Sequence, residues 1–226
     1  MIHTKKKNNT EELKNIQEER SKRAGNKWKF VPQHAIVEEL INQAKEREWF
    51  PHDVQAQTSR KGKDIAIGMT VILPGFSDEL KQGISVINSN DMTFRSALYG
   101  GVVINGNGVP LTKVLFRKHD DKFNLKEEVE TALDEFSNRA NGFNYTMNSL
   151  EDKELTYQEA ARCLDVAGRR KLMPWSRAGR LLESIKPDQK ISKWELLVRF
   201  SEMAKMNPPI KQMEQVHRFL YNVLQV

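Results

Sequence analysis

Cysteine is almost absent from this chain of 226 residues, where Cys163 stands alone. No intramolecular disulfide can form, and the single thiol, set in the helical-looking "QEAARCLDVAG", reads as a small buried hydrophobe rather than a nucleophile. Histidine is sparse too. His3, His34, His52, His119 and His217 are scattered, and beside one Cys they make no dense ligand pattern, so no metal is expected. No apolar run approaches the roughly 18 residues a membrane span needs. The N-terminus lacks the apolar centre of a secretory signal. These absences argue against a disulfide scaffold and a membrane protein, and a cytoplasmic location is the expectation.

Glycine is present but not arranged for phosphate. The stretch "ALYGGVVINGNGVPLTKVLF" lacks the Gly-x-Gly-x-x-Gly of a dinucleotide loop and the Gly-Lys-Ser/Thr of a P-loop, and strand-like sequence follows it. No cofactor is expected. Asn and Gly tolerate the positive φ of tight turns, so "NGNG" at residues 105–108, between two β-branched runs, reads as a hairpin turn.

What the chain does have is 38% apolar residues for a core and 29% charged residues for a solvated surface. Residues 1–29, rich in Lys, read as a basic flexible arm. An α+β core follows over residues 30–142. There "HAIVEELINQAKERE" sets Ile36, Val37, Leu40, Ile41 and Ala44 on one helical face after Pro32. "FPHDVQAQTS", "DIAIGMTVILP", "GISVIN", "GGVVI" and "VPLTKVLF" read as strands, the second alternating Ile65, Ile67, Met69 and Val71. "NLKEEVETALDEFSNRA" returns to helix, with Leu125, Val129, Leu133 and Phe136 in a stripe and Asn124 as N-cap. Residues 143–226 form a helical C-terminal section. It begins with a polar link, "NGFNYTMNSLEDKE", and two of its helices open at Thr156 and Ser192, each followed three residues later by Glu as in a capping box. The fold class is therefore α+β: an antiparallel sheet of about five strands packed with helices, followed by a helical section.

The order of short motifs resembles a known family. Phe30 and Pro32, then Asn88, Ser89, Asp91 and Thr93, then Leu98 and Gly101, Asn107 and Gly108, and Arg117 and His119 follow its spacing across roughly residues 28–136. That family is a domain of unknown function carried by phages, prophages and plasmids, with YafZ-like prophage proteins as members. Its pattern is Asn-Ser-His-Asp-Gly-Thr after a strand, then Leu-x-Gly, Cys-x-Asn-Gly and a strand ending near Arg-x-His. Here Asn90 stands at the family's His and Asn105 at its Cys, which weakens any metal or acid–base role for those positions. The resemblance implies a mobile-element context in a bacterial host's cytoplasm, and no reaction.

The "NSND" tetrad, Asn88 to Asp91, reads either as turn-forming side-chain-to-backbone bonds or as part of a site. Asp91 with His119 is the one acid–base pair to consider. Charge placement says more, since the net charge is +6 and the pI about 9.3. Arg60, Lys61 and Lys63 sit on one expected hairpin tip, and Arg117 and Lys118 end another strand. "RCLDVAGRRKLMPWSRAGR" sets Arg162, Arg169, Arg170, Lys171, Arg177 and Arg180 around Trp175, with Asp165 as the one acid. Cations neutralise phosphates and aromatics stack on unpaired bases. The same pattern also fits solvated helix faces around a core tryptophan. Trp28, between Lys27 and Lys29, repeats it.

The first expectation is a non-enzymatic, phage- or prophage-type protein that binds nucleic acid, single-stranded DNA foremost. Arg60, Lys61, Lys63, Arg117, Lys118, Arg169, Arg170, Lys171 and Arg177 would contact phosphate and Trp175 would stack. Single-strand annealing proteins share the general layout, which is analogy of fold alone and carries with it the option of a homo-oligomer. The second expectation is a phage factor that binds a host protein: Ile210, Met213, Val216, Phe219, Leu220 and Val223 form a stripe that either meets a partner or packs on the protein's own core. The third is an enzyme using Asp91, Arg117 and His119.

Overall fold

The carbonyl of Pro32 opens the first long helix, accepting from the amides of Ala35 (3.1 Å) and Ile36 (3.4 Å). The computed structural model describes residues 7–8, 29–59, 64–72, 81–89, 95–104, 107–207 and 209–225. In chain order these begin with β1 (Lys7–Asn8) and α1 (Gln33–Glu46). The expected stripe of α1 is buried at Ile36, Val37, Leu40 and Ala44, joined by Gln33 and Gln43. The helix stops where Glu48 turns left-handed (φ 59°) and the amide of Trp49 bonds back to Ala44 (3.0 Å).

Five long strands follow as expected: β2 (Phe50–Ser59), β3 (Asp64–Ile72), β4 (Gln82–Ser89), β5 (Ala97–Ile104) and β6 (Asn107–Leu115). With β1 added at the edge beside β2, the sheet runs β1-β2-β3-β4-β5-β6, antiparallel throughout. The period of two is kept in β3, where Ile65, Ile67, Met69 and Val71 are all buried. They form one face with Ile84, Val86, Leu98 and Val102, and this face meets α1 and α2 (Leu125–Ala140). Each such aliphatic side chain removed from water contributes about 1.5–3 kcal/mol. Asn124 caps α2 by accepting from the Lys126 amide at 3.2 Å. Phe136 presses against the sheet over Gly100, where an added Cβ would come within 2.1 Å of the Phe136 ring. The register shifts between Gly100 and Gly101, opposite Pro110, whose missing N–H is tolerated at a bulge.

The helical section holds α3 (Phe143–Glu151), β7 (Glu154–Leu155), α4 (Tyr157–Arg169), α5 (Trp175–Glu183), β8 (Ile191–Ser192), α6 (Lys193–Ala204) and α7 (Pro209–Phe219), which widens into a π-helical turn, Leu220–Leu224. α3 corrects the expected polar link: Phe143 and Leu150 are buried and carry it as helix. The capping box at Thr156 and Glu159 is formed in both directions, and Ser192 accepts from the Glu195 amide at 3.0 Å. Val216, Phe219 and Leu220 of the C-terminal stripe are fully buried, and Phe219 stacks on Phe200 with centroids 3.9 Å apart. Val216, Phe219 and Leu220 are therefore core, Met213 is buried as well, and the side chain of Ile210 lies outside the described residues. A single buried cluster runs from Val31 to Leu224, through sheet and helices alike. No helix among the described residues is long and apolar enough to cross a membrane.

The other face of the sheet is covered in part by α7. Met213 packs there on Ile87, Ala97 and Tyr99. Beside it the Tyr99 hydroxyl donates to Glu214, and Lys113 pairs with the same carboxylate oxygen at 2.6 Å. Burial, and then the Glu214 bond, hold the Tyr99 phenol above its ordinary range.

Candidate nucleic-acid interface

The turn after α4 is built by the backbone. Lys171 takes a left-handed conformation (φ 55°), and the amides of Arg170, Lys171 and Leu172 bond back to Val166, Gly168 and Ala167. Leu172 and Met173 are buried and anchor the turn. Pro174 then starts α5, its carbonyl accepting from Arg177 (2.9 Å) and Ala178 (3.1 Å). The corner is thus rigid, and it fixes where Trp175 stands. The indole rests on Gly168, where an added Cβ would lie 2.7 Å from its Cζ3, yet Trp175 remains 57% exposed. Trp175 stands more than half in water, as Phe50, Tyr145 and Met206 also do, whereas Trp49 and Trp194 are buried.

The cations around it have mostly neutral partners. Arg169 pairs with Asp165 at 2.9 Å, but its side chain is 74% exposed. Arg170 donates to the Asn222 carbonyl (2.8 Å) and Arg177 to Oδ1 of Asn207 (3.2 Å). Both acceptors are neutral, so they orient the guanidinium without cancelling it. Lys171 and Arg180 are exposed, and Arg180 leans on the Ser176 carbonyl at 3.4 Å. Five expected residues, Arg169, Arg170, Lys171, Trp175 and Arg177, therefore share one helical corner. Arg117 and Lys118 lie elsewhere, exposed beyond the end of β6, where Arg117 pairs with Glu128 of α2 at 3.4 Å. Arg60, Lys61, Lys63 and Trp28 lie outside the described residues.

Two of the motif residues, Asn88 and His119, belong to something different, a buried polar chain at one end of the sheet. Asn88 and Ser89 are fully buried at the end of β4, and His119 is 2% exposed just past β6. The Asn88 amide donates to Gln33 Oε1 (3.0 Å), and the Ser96 hydroxyl donates to Asn88 Oδ1 (2.5 Å). His119 Nε2 stands 3.2 Å from the same hydroxyl. Since that proton is directed at Asn88, Ser96 receives a hydrogen bond from His119 rather than offering it one. The chain joins α1, β4, the residue just before β5 and the segment after β6. Burial lowers His119 to about 4, so the ring is neutral near pH 7. Ser96 and His119 have nucleophile-and-base spacing but the wrong proton direction for that chemistry. Gln33 and Ser96 were not among the sequence candidates, for nothing near them in the chain marks them as partners of Asn88.

Asp91 lies outside the described residues. Nearby in the chain, Arg95 donates to the Phe116 carbonyl at 2.6 Å. Asn107 and Gly108 belong to β6 rather than to the turn: Ile104 pairs with Asn107, which leaves residues 105–106 as the connection. Cys163 packs against the core, and burial raises its thiol pKa, in keeping with a hydrophobe. Among the described residues no three His, Cys, Asp or Glu side chains converge as metal ligands would. Comparison with protein-family models, with curated proteins and with solved structures finds no match for this chain.

Proposed function

We propose that this chain is a non-enzymatic protein of phage or prophage type that binds nucleic acid, single-stranded DNA foremost, through the α4–α5 corner. The observation that carries the reading is Trp175, propped on Gly168 at 57% exposure among cations whose anchors are mostly neutral. Cations supply affinity for any phosphate backbone, while an exposed indole favours a strand whose bases are already unpaired. The motif resemblance supplies the phage context, and the cytoplasm of a bacterial host is the corresponding location. Arg117 and Lys118 would extend the phosphate track, and self-association along a strand is compatible with it.

Fluorescence anisotropy with a labelled single strand and its duplex, at low and moderate salt, tests the reading. Tight, salt-sensitive binding that prefers the single strand is expected. Replacing Arg169, Arg170 and Lys171 together with Ala should weaken it at least about tenfold at low salt and flatten the salt slope by about 2. Trp175→Ala should cost about 1–3 kcal/mol of single-strand affinity and little of duplex affinity. Unchanged affinity in both variants overturns the assignment.

A further inference from the structure

The glycines of the central strands divide by what fills the space a side chain would occupy. Gly100 is filled by Phe136, Gly83 by Val103 (2.9 Å from an added Cβ), and Gly101 by the backbone of Val109 and Pro110. Gly68, in the middle of β3, is different: an added Cβ would meet nothing nearer than Ser85 Oγ at 3.9 Å. Glycine weakens a strand interior and commonly marks a close approach by something else. No part of the described protein makes that approach.

Gly68 sits in a half-open groove of about 480 Å³ on the face that α7 covers only in part. Cross-strand pairing sets Gln55, Gly68 and Ser85 in one row, with Thr70 opposite Gly83 in the next. Met213 walls one side and the exposed Lys81 contributes the charge. No carboxylate is found among the described lining residues. Gln55, Thr70, Lys81 and Ser85 make no hydrogen bond or ion pair with other described residues through their side chains. A volume of this size falls in the range of small-ligand sites.

We propose that this groove binds one nucleoside monophosphate unit. The side-chain-free floor at Gly68 admits a flat ring against the sheet, and the Met213 thioether offers a soft wall to it. Ser85, Thr70 and Gln55 supply donors and acceptors for the ring edge and sugar, and Lys81 faces the phosphate. The unit arrives either as a free nucleotide or as one nucleotide of a bound strand. The second source rests on the nucleic-acid reading above.

The test is NMR titration of the full chain with dTMP, with dAMP and with a short 5′-phosphorylated oligothymidylate. Shifts at the amides of Gly68, Thr70 and Ser85 are expected with both monophosphates. Gly68→Val keeps a residue that strands favour but fills the floor, and it should abolish those shifts while the melting temperature is retained. Lys81→Gln leaves the floor intact and should weaken monophosphate binding about threefold to tenfold. If Gly68→Val also weakens the oligonucleotide, the strand is the source; if only the monophosphates are affected, the source is the free nucleotide. No shift at up to about 10 mM of either monophosphate, weaker than millimolar affinity, overturns the proposal. So do shifts that persist unchanged in both variants. The α4–α5 reading fails separately, through an oligonucleotide affinity that neither Trp175→Ala nor the joint replacement of Arg169, Arg170 and Lys171 alters.

Discussion

Two glycines on opposite faces of the sheet, Gly100 and Gly68, are treated in opposite ways. On the face toward α1 and α2, Gly100 is open only so that Phe136 can close it, and the interface is dry aliphatic and aromatic packing with Trp49 edge-on to Phe136 at 5.8 Å. On the face toward α7, Gly68 stays open, and the helix is held by a charged hydrogen-bonded lock of Tyr99, Lys113 and Glu214. Close packing secures a face by volume, whereas a polar lock secures one edge of a helix and leaves the rest of the sheet free. The first face therefore carries stability and the second has room for a ligand.

That contrast can be broken where it is strongest. Phe136→Ala removes a fully buried ring and leaves the cavity over Gly100, so a loss of about 3–5 kcal/mol is expected in urea denaturation. Acid comes next. Burial lowers both His119 and His217 to about 4, and for His217 the Lys113 charge lowers it further. Below pH 6.5 the unfolded chain takes up protons that the folded rings refuse. Stability should be complete above that pH and fall by about 3–4 kcal/mol as pH drops toward 4, most of it from His119 after discounting for the partial exposure of His217. His217→Gln should flatten only the α7 share of that slope.

Glu214→Ala opens the lock and should cost about 1–2 kcal/mol, because Glu214 is itself 41% exposed while the Tyr99 hydroxyl loses its acceptor. Added Met213 accessibility, read by oxidation and mass spectrometry, would show that α7 has loosened. Gly68→Ala is the smallest change expected, within about 0.5 kcal/mol of neutral or slightly stabilising, since it has room and restricts the unfolded chain. A loss like that of Phe136→Ala at this position would mean that the two faces are packed alike after all.

Local pattern was legible wherever local chemistry decides. The alternation of Ile65, Ile67, Met69 and Val71, the stripe ending in Phe136, and the caps at Thr156 and Ser192 all needed only neighbours a few residues away. α3 was not legible, because its polar run hides two buried anchors, Phe143 and Leu150, whose burial depends on helices elsewhere. Asn107 and Gly108 carry turn chemistry but pair as strand, Asn107 with Ile104 and Gly108 with Val103. The basic cluster around Trp175 was contiguous and so visible, while its neutral anchors, Asn207 and Asn222, lie 30 residues beyond Arg177 and 52 beyond Arg170. The motif chain shows the same limit: Asn88 meets Gln33 across 55 residues, a separation no short motif encodes.

The last turn of the chain has a consequence for assembly. Tyr221 donates to the Leu111 carbonyl at 2.8 Å, and α6 and α7 both pack on β6, the final strand of the sheet. A free sheet edge is a template on which another molecule can add a strand. Here one of its acceptors is already engaged by a tyrosine from the chain's own end. A strand adding at β6 would have to displace that bond.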